Sequence, residues 1–162
     1  MDYPLSSSVT AEDHFRQGRD ALASGEAPAA LDHFRSAHQI DRANPRYRSY
    51  YGLSIGIVER RFDRALELCR SAAKEEFFNP DLYHNLARVH LAFGFKAEAI
   101  RYLRRGLMID PANAAMHEDL RTLGTRSHPP LGFLPRRHPL NRLVGQLRRW
   151  WSARDAHAEA SA

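Results

Sequence analysis

Nine histidines and one cysteine are the residues of this 162-residue chain best suited to metal ligation or nucleophilic attack. A zinc site on a helix needs two imidazoles one turn apart, and no His-x-x-x-His pair occurs. No carboxylate–histidine cluster repeats along the chain either, so no metal site is expected. Nucleophilic catalysis would need a Ser or Cys beside a base, but Cys69 falls at a small, periodic position inside a helical pattern and reads as a packing residue. A Gly-rich phosphate loop is missing, and Asp and Glu are scattered over helix surfaces instead of being paired at a cleft. These patterns predict a chain that is not an enzyme, carries no cofactor and takes no small-molecule substrate.

Composition narrows the class further. Hydrophobic residues make up 43% and charged residues 27%, as in ordinary globular domains. A lone cysteine excludes an intrachain disulfide framework. The N-terminus MDYPLSSSVT has neither a basic start nor an apolar stretch, and no window approaches a membrane span, so a cytoplasmic setting is expected. The net charge of +5 is unevenly placed: residues 1–120 carry 16 basic and 17 acidic side chains, whereas residues 121–154 carry eight arginines and no carboxylate. Basic character therefore belongs to the tail.

The elements that must position any site emerge from an internal repeat. Gly18, Gly25, Ala30, Phe34 and Ala37 recur as Gly52, Ala65, Cys69 and Ala72, and again as Ala87, Gly94, Ala99, Leu103 and Gly106. Small residues at fixed places let two antiparallel helices approach closely, with large neighbours filling the remaining space. In the third segment Tyr83, Leu86, Ala87 and His90 form one helical stripe, and Ala99, Leu103, Gly106 and Leu107 form the facing one. His90 accordingly reads as a histidine at the core edge. Asn44-Pro45 and Asn79-Pro80 place a capping amide before a proline at the first helical position. Thr10 with Asp13 forms a capping box, and Gly25 and Gly94 sit where the chain must reverse. The interval from Gly52 to Ala65 is one residue longer than its counterparts, which predicts a bulged or extended turn near Val58–Arg61.

Tyr83, Leu86, Ala87, Gly94, Ala99, Leu103, Gly106 and Pro111 stand at the signature places of a 34-residue helical repeat, and the third segment resembles a tetratricopeptide repeat. The first segment is a looser copy, with His14 and Gln17 where large apolar residues are usual. After Pro111 the stretch AAMHEDLRTLG, with Met116, Leu120 and Leu123 on one side, resembles the helix that closes such arrays. The resemblance implies an all-α fold over residues 10–124: a short right-handed α-solenoid of three antiparallel helix pairs and a capping helix. It further implies a non-catalytic interaction scaffold whose concave groove holds a peptide or helix of a protein partner. The first helices of the pairs would line that groove with Phe15, Arg19, Leu22, Tyr50, Leu53, Ile57, His84, Arg88 and Leu91. Tyr50, Phe15 and Leu53 would form apolar pockets, and Arg19 and Arg88 would meet carboxylates or carbonyls. Family members that grip acidic chaperone C-termini use a lysine, asparagine and arginine clamp. Phe15, Arg19, Tyr50, Asp81 and Asn85 occupy the corresponding places, and the clamp is not reproduced.

Flanking the array, residues 1–9 and 154–162 read as flexible ends. Residues 125–138 form a proline-rich extended connector, and residues 139–153 a basic amphipathic helix. A Phe-Leu-x-Arg string followed by Pro-Leu-Asn-Arg resembles tails that follow such arrays in bacterial proteins, and it implies no activity. Arginines with Trp150 and Trp151 suit three ligands: nucleic acid, an anionic membrane surface, or a protein surface. No nucleic-acid module is present, which disfavours the first, and a peripheral membrane-surface adaptor is the alternative to the protein scaffold. Leu131, Phe133, Leu134, Leu143, Leu147 and Trp150 are expected to dock on the array itself, since burying each is worth roughly 1.5 to 3 kcal/mol. Truncation after Thr125 should then lower the melting temperature and raise partner binding. If calorimetry and binding both stay at the full-length values, docking of the tail is wrong.

Overall fold

The computed structural model describes residues 9–124. These fold into seven helices: α1 Ala11–Ala23, α2 Ala27–Ile40, α3 Pro45–Ser54, α4 Phe62–Glu75, α5 Pro80–Ala92, α6 Lys96–Ile109 and α7 Ala114–Gly124. A π-helical segment, Ile55–Glu59, continues α3. Among the described residues there is no strand. Helices pair as α1 with α2, α3 with α4 and α5 with α6, and each pair stacks on the next, which makes a short α-solenoid.

Helix starts follow local chemistry. The Thr10 hydroxyl accepts from the Asp13 N–H at 3.1 Å while the Asp13 carboxylate accepts from the Thr10 N–H at 3.1 Å, a reciprocal capping box. The Asn44 and Asn79 side-chain oxygens accept from the N–H groups of Arg46 and Asp81, at 3.0 and 3.1 Å. Asn113 does the same for Met116 at the start of α7. Gly25 and Gly94 end α1 and α5 in the left-handed region, at φ 81° and 82°. Around each, an N–H reaches back five residues, from Glu26 to Ala21 and from Phe95 to His90, and satisfies a terminal carbonyl.

The second pair turns differently. Its extra residue is taken up inside the helix, as the π turn of Ile55–Glu59, and the chain reverses at Arg60 with φ 57°. Irregularity thus begins three residues before the expected Val58–Arg61. A non-glycine residue is tolerated in this conformation where the Arg60 guanidinium lies over the Phe93 ring, 4.5 Å from its centroid.

Packing is set by the small residues. A Cβ on Gly52 would stand 2.9 Å from the Leu68 Cβ and 3.0 Å from the Cys69 Sγ, and one on Gly18 would stand 2.7 Å from the Phe34 ring. Ala30, Ala65, Ala87 and Ala99 are fully buried at the same kind of contact. Tyr83, Leu86 and His90 are buried with Ala87, as are Ala99, Leu103 and Gly106 opposite them. Met116 of α7 is fully buried against this last pair, with Leu120 and Leu123 packed beside it. The array therefore ends on a helix that covers it.

Cys69 is fully buried, and its thiol donates to the Ser49 carbonyl at 3.2 Å. Burial pushes its pKa from the ordinary 9.0 up to about 12. In the folded protein at pH 8 the thiol should be inert to a disulfide reagent that titrates it at once in denaturant; rapid reaction without denaturant would contradict this packing. Because the folded pKa is the raised one, this contribution to stability is complete below the unfolded value. It is lost as pH rises from about 9 towards 12. Ala99→Trp overpacks the α5–α6 contact and should cost about 1 to 3 kcal/mol or more, read as a fall in melting temperature. A wild-type melt would refute the register.

Candidate functional site

The first helices α1, α3 and α5 stand side by side and are tied together by polar contacts one repeat apart. Tyr47 donates its hydroxyl to Glu12 at 2.7 Å, joining α3 to α1. Asn85 donates to the Ser49 hydroxyl at 3.1 Å inside the core, joining α5 to α3. His84 meets Asp119 at 2.8 Å and joins α7 to α5. Burial and the Glu12 hydrogen bond push the Tyr47 pKa up to about 12, so the phenol stays a donor throughout the physiological range.

On this face the nine expected groove residues separate by depth. Arg19 is exposed, and Leu22, Tyr50, Ile57, His84, Arg88 and Leu91 are half-buried. Phe15 and Leu53 are not groove residues, at 1% and 0% exposure. Phe15 lies among Phe34, Tyr47 and Tyr50, with ring centroids 5.8, 5.1 and 5.0 Å away. It belongs to the α1 stripe of Phe15 and Gly18, which faces α2; Arg19 falls to the side of that stripe, whereas Leu22 lies in line with it and packs half-buried against two core clusters. Leu53 follows Gly52 onto the α4 contact and joins the central core. These two side chains shape the face from beneath and offer no contact surface to a ligand.

Charge is concentrated around Tyr50. Burial raises the pKa of its phenol, the Asp81 charge adds to this, and the cations Arg19, Arg88 and Arg46 oppose it. Arg88 is half-buried beside Tyr50 and Asp119, and the loss of solvent around its guanidinium lowers its pKa. Among the described residues Arg88 makes neither an ion pair nor a hydrogen bond. The arrangement can present a desolvated guanidinium and an aromatic ring to an extended or helical ligand. No group of three or more His, Cys, Asp or Glu residues that could hold a metal occurs among the described residues. No described helix is long and apolar enough to cross a membrane.

The expected docking residues Leu131, Phe133, Leu134, Leu143, Leu147 and Trp150 lie outside the described residues, as do the connector, the basic helix and the two ends. Sequence reasoning missed the three polar ties, whose partners stand 35 or 36 residues apart. The signal was available: one repeat length separates a donor from an acceptor in each.

Comparison with known proteins agrees with this architecture. A tetratricopeptide repeat family model matches residues 58–122. No curated protein matches. Among solved structures, the Sgt2 TPR domain from Aspergillus fumigatus aligns with TM-score 0.58 and 19% identity, covering 86% of this chain and 99% of that one. The first TPR of RPAP3, bound to the HSP90 peptide SRMEEVD, aligns with TM-score 0.55 and 19% identity over 71% and 90% of the two chains. PcrH, from Pseudomonas aeruginosa and in complex with the chaperone binding region of PopB, aligns with TM-score 0.52 and 19% identity over 76% and 98%. At these identities the structural likeness establishes the fold alone. The repeat register, the helix pairing and the family model over residues 58–122 agree, and the described residues have the fold of a tetratricopeptide repeat array.

Proposed function

We propose that this chain works by binding, without turnover, and that the face formed by α1, α3 and α5 receives a peptide or helix of a protein partner. The observation that carries this reading is Arg88, a half-buried guanidinium with no carboxylate paired to it among the described residues. A desolvated charge without a partner is unfavourable, and a carboxylate on a ligand would relieve it. Tyr50 beside it supplies an aromatic contact, and Arg19 supplies a second, exposed cation. Leu22, Ile57 and Leu91 offer the apolar surface. The ligand is therefore an acidic segment with interleaved apolar side chains. Two structural relatives were solved with protein segments bound, which supports the ligand class. Their particular ligands are not carried over, because the clamp residues are not reproduced here.

A pull-down comparing wild type, Arg88→Ala, Tyr50→Ala and Arg104→Ala tests the site. The first two should lose the captured partner, while Arg104→Ala, an exposed position on α6, should retain it. Each loss should reach about 2 kcal/mol in binding free energy, the scale of an interface hot spot. Equal capture by all four proteins would overturn the assignment.

A further inference from the structure

On the other side of α5, the second helices α4 and α6 bound a cleft that the partner-binding face does not use. Arg70 of α4 and Arg101 and Arg105 of α6 line it, with Tyr102 beside them and His90 of α5 at its inner end. The cleft continues past Arg70, Tyr102 and Arg105 towards Lys74, Tyr83 and Phe77. Ion pairs among the described residues engage Arg16, Arg35, Arg48, Arg61, Arg64 and Arg121, and none of these cleft arginines. Arg105 is held over the Tyr83 ring, 5.0 Å from its centroid. Glu98 is the one carboxylate in the lining.

His90 closes the cleft on the α5 side. It is 4% exposed, and both ring nitrogens are covered by the surrounding side chains without a hydrogen-bond partner. Its ring is fixed, stacked on Tyr102 at 5.3 Å and 21° and edge-on to Phe62 at 5.6 Å. The three guanidiniums are exposed around one cleft and make no ion pair among the described residues, so they concentrate positive charge that an anion with several acceptor oxygens would neutralise.

We propose that this cleft binds a phosphate dianion, free or as a monoester, with Arg70, Arg101 and Arg105 donating guanidinium N–H groups beside the His90 ring. Planar guanidinium forks match phosphate oxygens, and a dianion with several acceptor oxygens can engage more of these donors than a carboxylate can. In an ester, Tyr102 and Tyr83 wall the organic group. This site stands independently of the partner-binding face, since it shares none of Arg19, Tyr50 and Arg88.

Inorganic phosphate, phenyl phosphate and acetate titrated into the full chain, followed by the imidazole resonances of His90 and by calorimetry, test the proposal. The phosphates should shift the His90 ring saturably and acetate should not. Arg70→Gln and Arg105→Gln should each weaken binding about tenfold, while Arg104→Gln on the same helix should not. Tighter binding of phenyl phosphate identifies an ester as the ligand, and equal binding the free ion. An unmoved His90 resonance, acetate binding as well as phosphate, or Arg105→Gln binding like Arg104→Gln would overturn it, the last by assigning any affinity to other basic residues.

Discussion

At Gly52 the backbone of α3 lies so close to α4 that a single methyl group would meet Leu68, Cys69 and the Ala65 carbonyl within about 3 Å. Everything else in the array depends on this kind of approach. It lets a pair of helices act as one layer, brings Cys69 near enough to donate to Ser49, and leaves Ser49 oriented to accept from Asn85 of the next layer. Gly18 against Phe34 and Gly106 against Met116 repeat the device at the two ends. Because interiors are packed to crystal-like density, these positions cannot relax around an added methyl at low cost.

Between layers the forces are different. Apolar clusters run from one pair into the next, with Leu22 touching two of them, and each junction adds a hydrogen bond or ion pair on the first-helix side. Each contact involves neighbouring layers only, so stability accumulates as a chain of nearest-neighbour terms. The polar ties fix how far one first helix can rotate against the next, and so fix where Tyr50 and Arg88 stand relative to each other.

Much of this was legible in the sequence. Thr10 with Asp13, Asn44 with Pro45, Asn79 with Pro80, and Gly25 and Gly94 each act through local chemistry, which adjacent residues reveal. The alternation of small and large residues gave the pairing because it records a packing constraint. Depth was harder to read: Phe15 and Arg19 differ by about one turn, and only the position of α2 decides which of them is covered. The Asn113 cap was also open to view and went unread. His90 illustrates the other limit, since periodicity places it in the packed stripe but says nothing of whether its nitrogens find partners.

The π turn at Ile55–Glu59 bears on how such arrays change length over evolutionary time. An inserted residue usually shifts every later position off its partner. Here the surplus is absorbed within one helix, before α4 begins, and Ala65 returns to the same kind of buried contact as Ala30 and Ala99. The cost is confined to a short stretch of wider backbone and one arginine in a left-handed conformation. Repeat copies can thus drift apart in length while their layers keep phase, and descent from a common unit can outlast the regular spacing by which it is recognised.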